Sequence, residues 1–233
     1  MRQLPLEVRL ADHALFSNFV PDGNEFVVHE LRAAADRVPG PPVWLWGAGE
    51  SGRTHLLQAA VAAAGDGAGR PAYLPLAGLL AAGTAPPAAL LEGLGDLDLV
   101  ALDDIERMAG NADAERALFG LYEQLRAVGG RLIIAAAGPP ADTGFGLADL
   151  RSRLASGSVH RLRPLDDGGR LAALTLRARF RGLELPEDTA RYLLHRAPRG
   201  AASLFALLDT LDRESLAARR PLTIPFVRAV LGL

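Results

Sequence analysis

The 233 residues are enough for one large α/β domain and a small helical appendage, and with 49% of them hydrophobic a continuous core is expected. A formal net charge of −2 argues against a chain whose main work is coating phosphate backbones, and the absence of Cys excludes a disulfide scaffold or a thiolate metal site. Neither the amino end, Met1 to Glu7, nor any later stretch is apolar enough for a secretory signal or a bilayer span, so a soluble, cytoplasmic protein without a membrane partner is expected. Every basic residue is Arg and none is Lys, a compositional drift that bears on one motif position below.

Asn24 to Arg37 carries apolar residues at helical spacing and stops at Pro39-Gly40-Pro41-Pro42. Val43 to Trp46 reads as a short buried strand, followed by a Gly-rich turn and a helix over Thr54 to Ala64. Ala72 to Leu74 is expected as a second strand, Pro86 to Gly93 as a short helix, and Leu97 to Leu102 as a third strand running into two acids. An amphipathic helix over Ala112 to Val128 ends at Gly129-Gly130, and Arg131 to Ala136 follows as a fourth strand. A short basic helix over Asp149 to Ala155 precedes a fifth strand at Val159 to Leu162. Beyond Pro164 only helices are expected: Asp167 to Phe180, Pro186 to Arg196, Ala202 to Ala218 and Pro225 to Leu231. Alternating strands and helices imply a parallel sheet covered on both faces, with an all-helical subdomain after it.

The segment Gly47-Ala48-Gly49-Glu50-Ser51-Gly52-Arg53-Thr54 fits the phosphate-loop pattern G-x-x-x-x-G-K-[ST] at every fixed position but one, where Arg53 replaces Lys. Its glycines let backbone N–H groups turn toward an anion at a helix N-terminus, and Thr54 supplies a hydroxyl for Mg²⁺. The expected cofactor-binding set is therefore Gly47, Gly49, Ser51, Gly52, Arg53, Thr54 and Asp103, the ligand ADP or ATP, with Thr54 and Asp103 serving any Mg²⁺. A guanidinium is broader than an ammonium and should crowd the γ position, so nucleotide binding with poor intrinsic hydrolysis is expected. The apolar strand ending in Asp103-Asp104 is the usual partner of such a loop, the first acid supporting Mg²⁺ through water and the second, Asp104, orienting water as a weak catalytic residue. The bland reading of the two acids is a helix cap.

With these motifs, Phe16-Ser17-Asn18-Phe19-Val20, His55-Leu56-Leu57 and Asp103-Asp104-Ile105 resemble the AAA+ region of the DnaA initiator. The resemblance extends to the DnaA-related regulatory inactivators called Hda through Gln3-Leu4, Ser152-Arg153-Leu154, Gly182 with Glu184 to Asp188, and Leu222 to Val227. It implies an AAA+ P-loop domain, a three-layer αβα parallel sheet with a small C-terminal helical lid, divided as a clamp-binding peptide over 1–12, a nucleotide-binding domain over 13–164 and a lid over 165–233. It also implies a regulator that docks on the DNA-loaded sliding clamp (the DNA polymerase III β subunit), engages the DnaA initiator and stimulates hydrolysis of the initiator's ATP, so that initiation is negatively regulated.

Two features bear on that implication. Gln3-Leu4-Pro5-Leu6 offers an amide and two apolar anchors, Leu4 and Leu6, that suit extended docking in a groove, although Pro5 and Glu7 depart from the more apolar family peptide. Arg153 lies where AAA+ proteins place an arginine finger acting in trans, with Arg151 as the neighbouring candidate. A guanidinium delivered to a γ-phosphate is worth roughly 10³–10⁵ in rate in GTPase systems. The end of the fourth strand, Ala135 to Gly138, has no γ-phosphate-sensing side chain, and Ala201 to Leu204 occupies the stretch where a lid Arg would reach nucleotide, with Arg199 nearby. The competing reading is a self-hydrolysing ATPase of the helicase-loader type. An initiator would need a helix-turn-helix beyond the lid, where the chain stops at Leu233, so sequence-specific DNA binding is not expected, while a homo-oligomer is left open.

Overall fold

Four apolar runs and the mixed segment Ser158–Arg161 form strands, each bracketed by Gly, Pro or acidic breakers or too short for a helix. They are β1 (Val43–Trp46), β2 (Pro71–Pro75), β3 (Leu99–Asp103), β4 (Arg131–Ala136) and β5 (Ser158–Arg161). The computed structural model describes residues 14–83, 85–196, 201–218 and 220–232. All pairings are parallel and the sheet order is β2-β3-β4-β1-β5. Trp46 pairs with Ala136 and with Arg161, and Leu102 with Ile134. The register therefore brings the carboxyl ends of β1, β3 and β4 to one edge of the sheet, where open α/β folds bind their ligands.

Helices α1 (Glu25–Ala35) and α2 (Arg53–Asp66) pack on each other, and α2 lies against β2, β3 and β4. On the other face, α4 (Ala112–Val128) and α5 (Ala148–Ala155) bury Leu118, Leu121, Leu125, Leu150 and Leu154 with Trp44, Leu102 and Ile134 of the sheet. Each such side chain contributes about 1.5–3 kcal/mol by leaving water. The outcome is the three-layer αβα arrangement expected.

Several boundaries shift by one or two residues from the sequence reading. β3 starts at Leu99 and takes in Asp103, and β5 ends at Arg161, although the Leu162 N–H still donates to the Trp46 carbonyl at 2.7 Å. The expected helix at Pro86 is a 3-10 turn over Pro87–Leu91. A helix that the sequence does not announce, α3 (Leu76–Ala82), follows β2. Its seven residues are too few for a periodic signal, and Gly83 closes it at a φ of 62°.

Contacts divide the chain into two units, one comprising Gly23–Arg163 with the residues up to Ser17, the other Pro164–Leu233 with Asn18–Asp22. The second unit contains α6 (Asp167–Phe180), α7 (Glu187–Arg196), α8 (Ala201–Ala218) and α9 (Ile224–Leu231). Its own core joins Leu174, Ala178, Leu193, Leu204, Leu208, Leu211, Phe226 and Val227.

Candidate functional site

The turn between β1 and α2 is shaped by backbone geometry. Gly52 has a φ of 91° and Glu50 a φ of 63°, the left-handed region, and Gly52 precedes α2 without a side-chain cap. The first N–H groups of α2 are thus left without a capping side chain, as an anion site requires. Gly47 is closely hemmed: a Cβ there would stand 3.0 Å from Ser51 Oγ and 3.1 Å from the Leu162 carbonyl. Ser51 is buried, and its Oγ has no hydrogen-bond partner among the described residues. A buried polar atom without a partner marks a place for a ligand or water. Among these, the orphaned hydroxyl and the uncapped helix start fit phosphate oxygens.

Arg53 opens α2, and its guanidinium donates to the Ala136 carbonyl at the end of β4. The guanidinium therefore has a protein acceptor of its own, across the sheet edge from the turn. Thr54 Oγ1 donates to Asp103 Oδ2 at 2.7 Å, which joins the two motifs directly. Two further donors meet the same carboxylate: the Tyr73 hydroxyl on Oδ2 at 3.0 Å and the Asp104 N–H on Oδ1 at 3.1 Å. Gln58 of α2, itself buried, lies beside the Tyr73 hydroxyl and acts against its upward shift. Burial pushes the Asp103 carboxyl above the usual carboxylate value, with Asp104 adding to it, while Thr54, Tyr73 and Arg53 oppose the shift. Burial beside Asp103 raises the Tyr73 hydroxyl strongly, so it stays protonated and donating. Asp104 follows with a φ of 56° and precedes the turn Ile105–Met108, making no side-chain cap there. The cap reading of the acids is not what the geometry adopts.

The segment after β4 leads to α5 and is held from below. Trp44 Nε1 donates to the Gly138 carbonyl at 3.0 Å and its ring meets Phe145 edge-on. Glu115 of α4, almost wholly buried, accepts from Gly110 N–H at 2.8 Å, Gly146 N–H at 3.1 Å and Leu147 N–H at 2.7 Å. Desolvation alone would push its carboxyl up, but the three backbone donors outweigh it and hold it below the ordinary value. On α5, Arg151 donates to the Phe145 carbonyl at 3.4 Å, whereas Arg153 is half exposed and its Nε lies 3.8 Å from Glu123 Oε1.

Known proteins resemble the chain in its last segment and in its fold. Residues 167–231 match the family model described as "Hda, lid domain". Domain III of the Thermotoga maritima replication initiation protein DnaA superposes with a TM-score of 0.77 at 21% identity, over 94% of this chain and 95% of that one. AMPPCP-bound DnaA from Aquifex aeolicus gives a TM-score of 0.67 at 22% identity over 83% of this chain, which spans 62% of that protein. The Thermotoga maritima RuvB Holliday junction branch migration motor gives 0.67 at 14% identity, over 92% of this chain and 69% of that one. Residues 167–231 thus match the Hda lid model, and the fold as a whole is that of DnaA domain III.

In this chain the structure brings Ser51, Gly52, Arg53, Thr54, Asp103 and Asp104 to the carboxyl edge of the sheet, while a Cβ added at Gly49 would meet nothing within 4 Å. Gln3, Leu4 and Leu6 lie outside the described residues, as does Arg199 next to the Hda-type lid's α8. Sequence reasoning missed Tyr73, Gln58 and Glu115. The first two sit in apolar runs where a polar atom was the only signal, and Glu115 was hidden among the charges of an amphipathic helix. Among the described residues no helix is long and apolar enough to cross a membrane.

Proposed function

We propose that this chain binds an adenine nucleotide in the turn before α2 and acts as a regulator of a DnaA-type initiator, supplying Arg153 in trans to the initiator's bound ATP. The observation that carries the reading is the state of Arg153: half exposed on α5, with its Nε no nearer than 3.8 Å to Glu123 Oε1. A guanidinium so placed can offset charge developing on another molecule's γ-phosphate. The chain's own pocket is equipped for holding rather than turnover. Ser51, Gly52 and Thr54 would hold phosphates, Thr54 and Asp103 would hold Mg²⁺, which when bound shields phosphate charge, and Arg53 is committed to the Ala136 carbonyl. ADP is the favoured ligand, and Asp104 serves at most to orient water.

Support for the partner comes from the Hda lid match and from the DnaA likeness, one member of which is described with AMPPCP bound. In this reading Gln3, Leu4 and Leu6 dock on the sliding clamp, and the clamp on DNA delivers the chain to the initiator; the setting is cytoplasmic, without sequence-specific DNA contact. The helicase-loader alternative would draw on the Thr54–Asp103 pair for its own turnover. Measuring initiator-ATP hydrolysis with and without this chain, on clamp-loaded and clamp-free DNA, tests the proposal. Acceleration that needs both chain and clamp is expected; brisk ATP hydrolysis by the chain alone and no effect on the initiator would favour the alternative. Replacing Gln3 and Leu4 by Ala should abolish clamp capture.

A further inference from the structure

Asp103 is expected to serve a divalent cation, yet the protein itself uses most of what this carboxylate can offer. A carboxylate has about four acceptor positions. Thr54 Oγ1 and the Tyr73 hydroxyl both donate to Oδ2, at 2.7 and 3.0 Å, and the Asp104 N–H donates to Oδ1 at 3.1 Å. Three of those positions are thus filled in a residue only 3% exposed. The Thr54 bond joins the two motif residues that the cation needs, and the Asp104 bond is local to the backbone. Tyr73 is different. It comes from β2, at the edge of the sheet, and none of the motifs calls for it. Its ring is buried beside β3, and the paired register of β2 and β3 fixes its height.

We propose that Tyr73 is a positioning residue that weakens the site's hold on a divalent cation, so that nucleotide is retained chiefly by the backbone N–H groups of the turn. The physical reason is competition for one oxygen. Mg²⁺ demands near-ideal octahedral geometry and keeps several of its waters, each of which must donate to an acceptor. Where Tyr73 already donates to Oδ2, a metal-bound water has only the remaining position on Oδ1. Changing a partner just outside a metal's ligands typically alters its affinity by about 10–100-fold; that sets the magnitude expected here, and the competition for Oδ2 sets the sign.

The inference rests on the reading that the turn before α2 binds nucleotide, and its test separates the two. ADP affinity of the full chain is measured by calorimetry in excess Mg²⁺ and in excess EDTA, for the wild type and for Tyr73→Phe, with melting curves to show that both are folded. The wild type is expected to gain less than about tenfold from Mg²⁺, and Tyr73→Phe, which vacates the oxygen without removing the ring, to gain about tenfold more than the wild type. A Mn²⁺ titration of the wild-type ADP complex followed by electron paramagnetic resonance needs no variant, and protein-bound Mn²⁺ should be weak in it. Equal Mg²⁺ dependence in the two proteins, or tight Mn²⁺ in the wild type, overturns the role of Tyr73 while leaving nucleotide binding intact. No ADP binding in either buffer overturns the nucleotide reading and this inference with it.

Discussion

Ser51 Oγ is a hydroxyl buried without a partner, an arrangement that costs about 1–3 kcal/mol in a folded protein. Such a cost is tolerated where a ligand relieves it. Ser51→Ala is therefore expected to leave the ligand-free protein as stable as before, or up to about 1 kcal/mol more stable, in urea unfolding, while weakening ADP binding in calorimetry. A loss of stability with unchanged ADP affinity would mean that the hydroxyl has a structural partner. Gly52→Ala should act differently. Its φ of 91° strains any side chain, so a loss of about 1–3 kcal/mol is expected whatever the ligand. The turn Gly47 to Thr54 was legible in the sequence, because its pattern lies in consecutive residues. The Arg53 bond to the Ala136 carbonyl was not, because it joins two segments brought together only by the pairing of β1 with β4.

Glu115 shows how one helix can hold another. Its carboxylate on α4 collects N–H groups from Gly110, Gly146 and Leu147, and Leu147 is the residue that opens α5, where Arg153 sits. Hydrogen bonds to a charged acceptor are worth about 1.5–3 kcal/mol each in net terms, so Glu115→Gln is expected to cost at least about 2 kcal/mol in chemical denaturation. The folded carboxyl lies below its ordinary value of 4.5, so its contribution is complete above that value and is lost as pH falls through the lower folded value. The acid limb of a melting-temperature profile should accordingly be shallower in Glu115→Gln than in the wild type; identical limbs would remove the charge from the account. In the second unit, Asp166 accepts from the Gly169 N–H at 2.8 Å at the start of α6, and Asp166→Ala should cost about 1 kcal/mol. The long helices and all five strands could be read from periodicity and breakers, since Gly129 and Pro42 punctuate the chain plainly. α3 escaped because seven apolar residues after Pro75 carry no period, and Glu115 escaped because its three partners lie in a loop whose path no local pattern reveals.

At the scale of the molecule, two units with separate cores share one chain, a sheet-based unit that carries the turn before α2 and a helical one whose residues 167–231 match the Hda lid model. The fold class followed from strand and helix alternation alone, whereas the sheet order β2-β3-β4-β1-β5 required the structure. Net charge near zero and a half-exposed Arg on α5 suit a molecule that acts on a protein partner more than on bare DNA. The central claim is that a guanidinium from this chain completes the catalytic centre of another. Its most direct test is single-turnover hydrolysis of initiator-bound ATP on clamp-loaded DNA with the wild type, Arg153→Ala and Arg151→Ala. The account predicts that Arg153→Ala loses the acceleration, by roughly 10³-fold where the chemical step is limiting, while still being captured by the clamp, and that Arg151→Ala keeps most of it. Full acceleration by Arg153→Ala, with clamp capture intact, would contradict it.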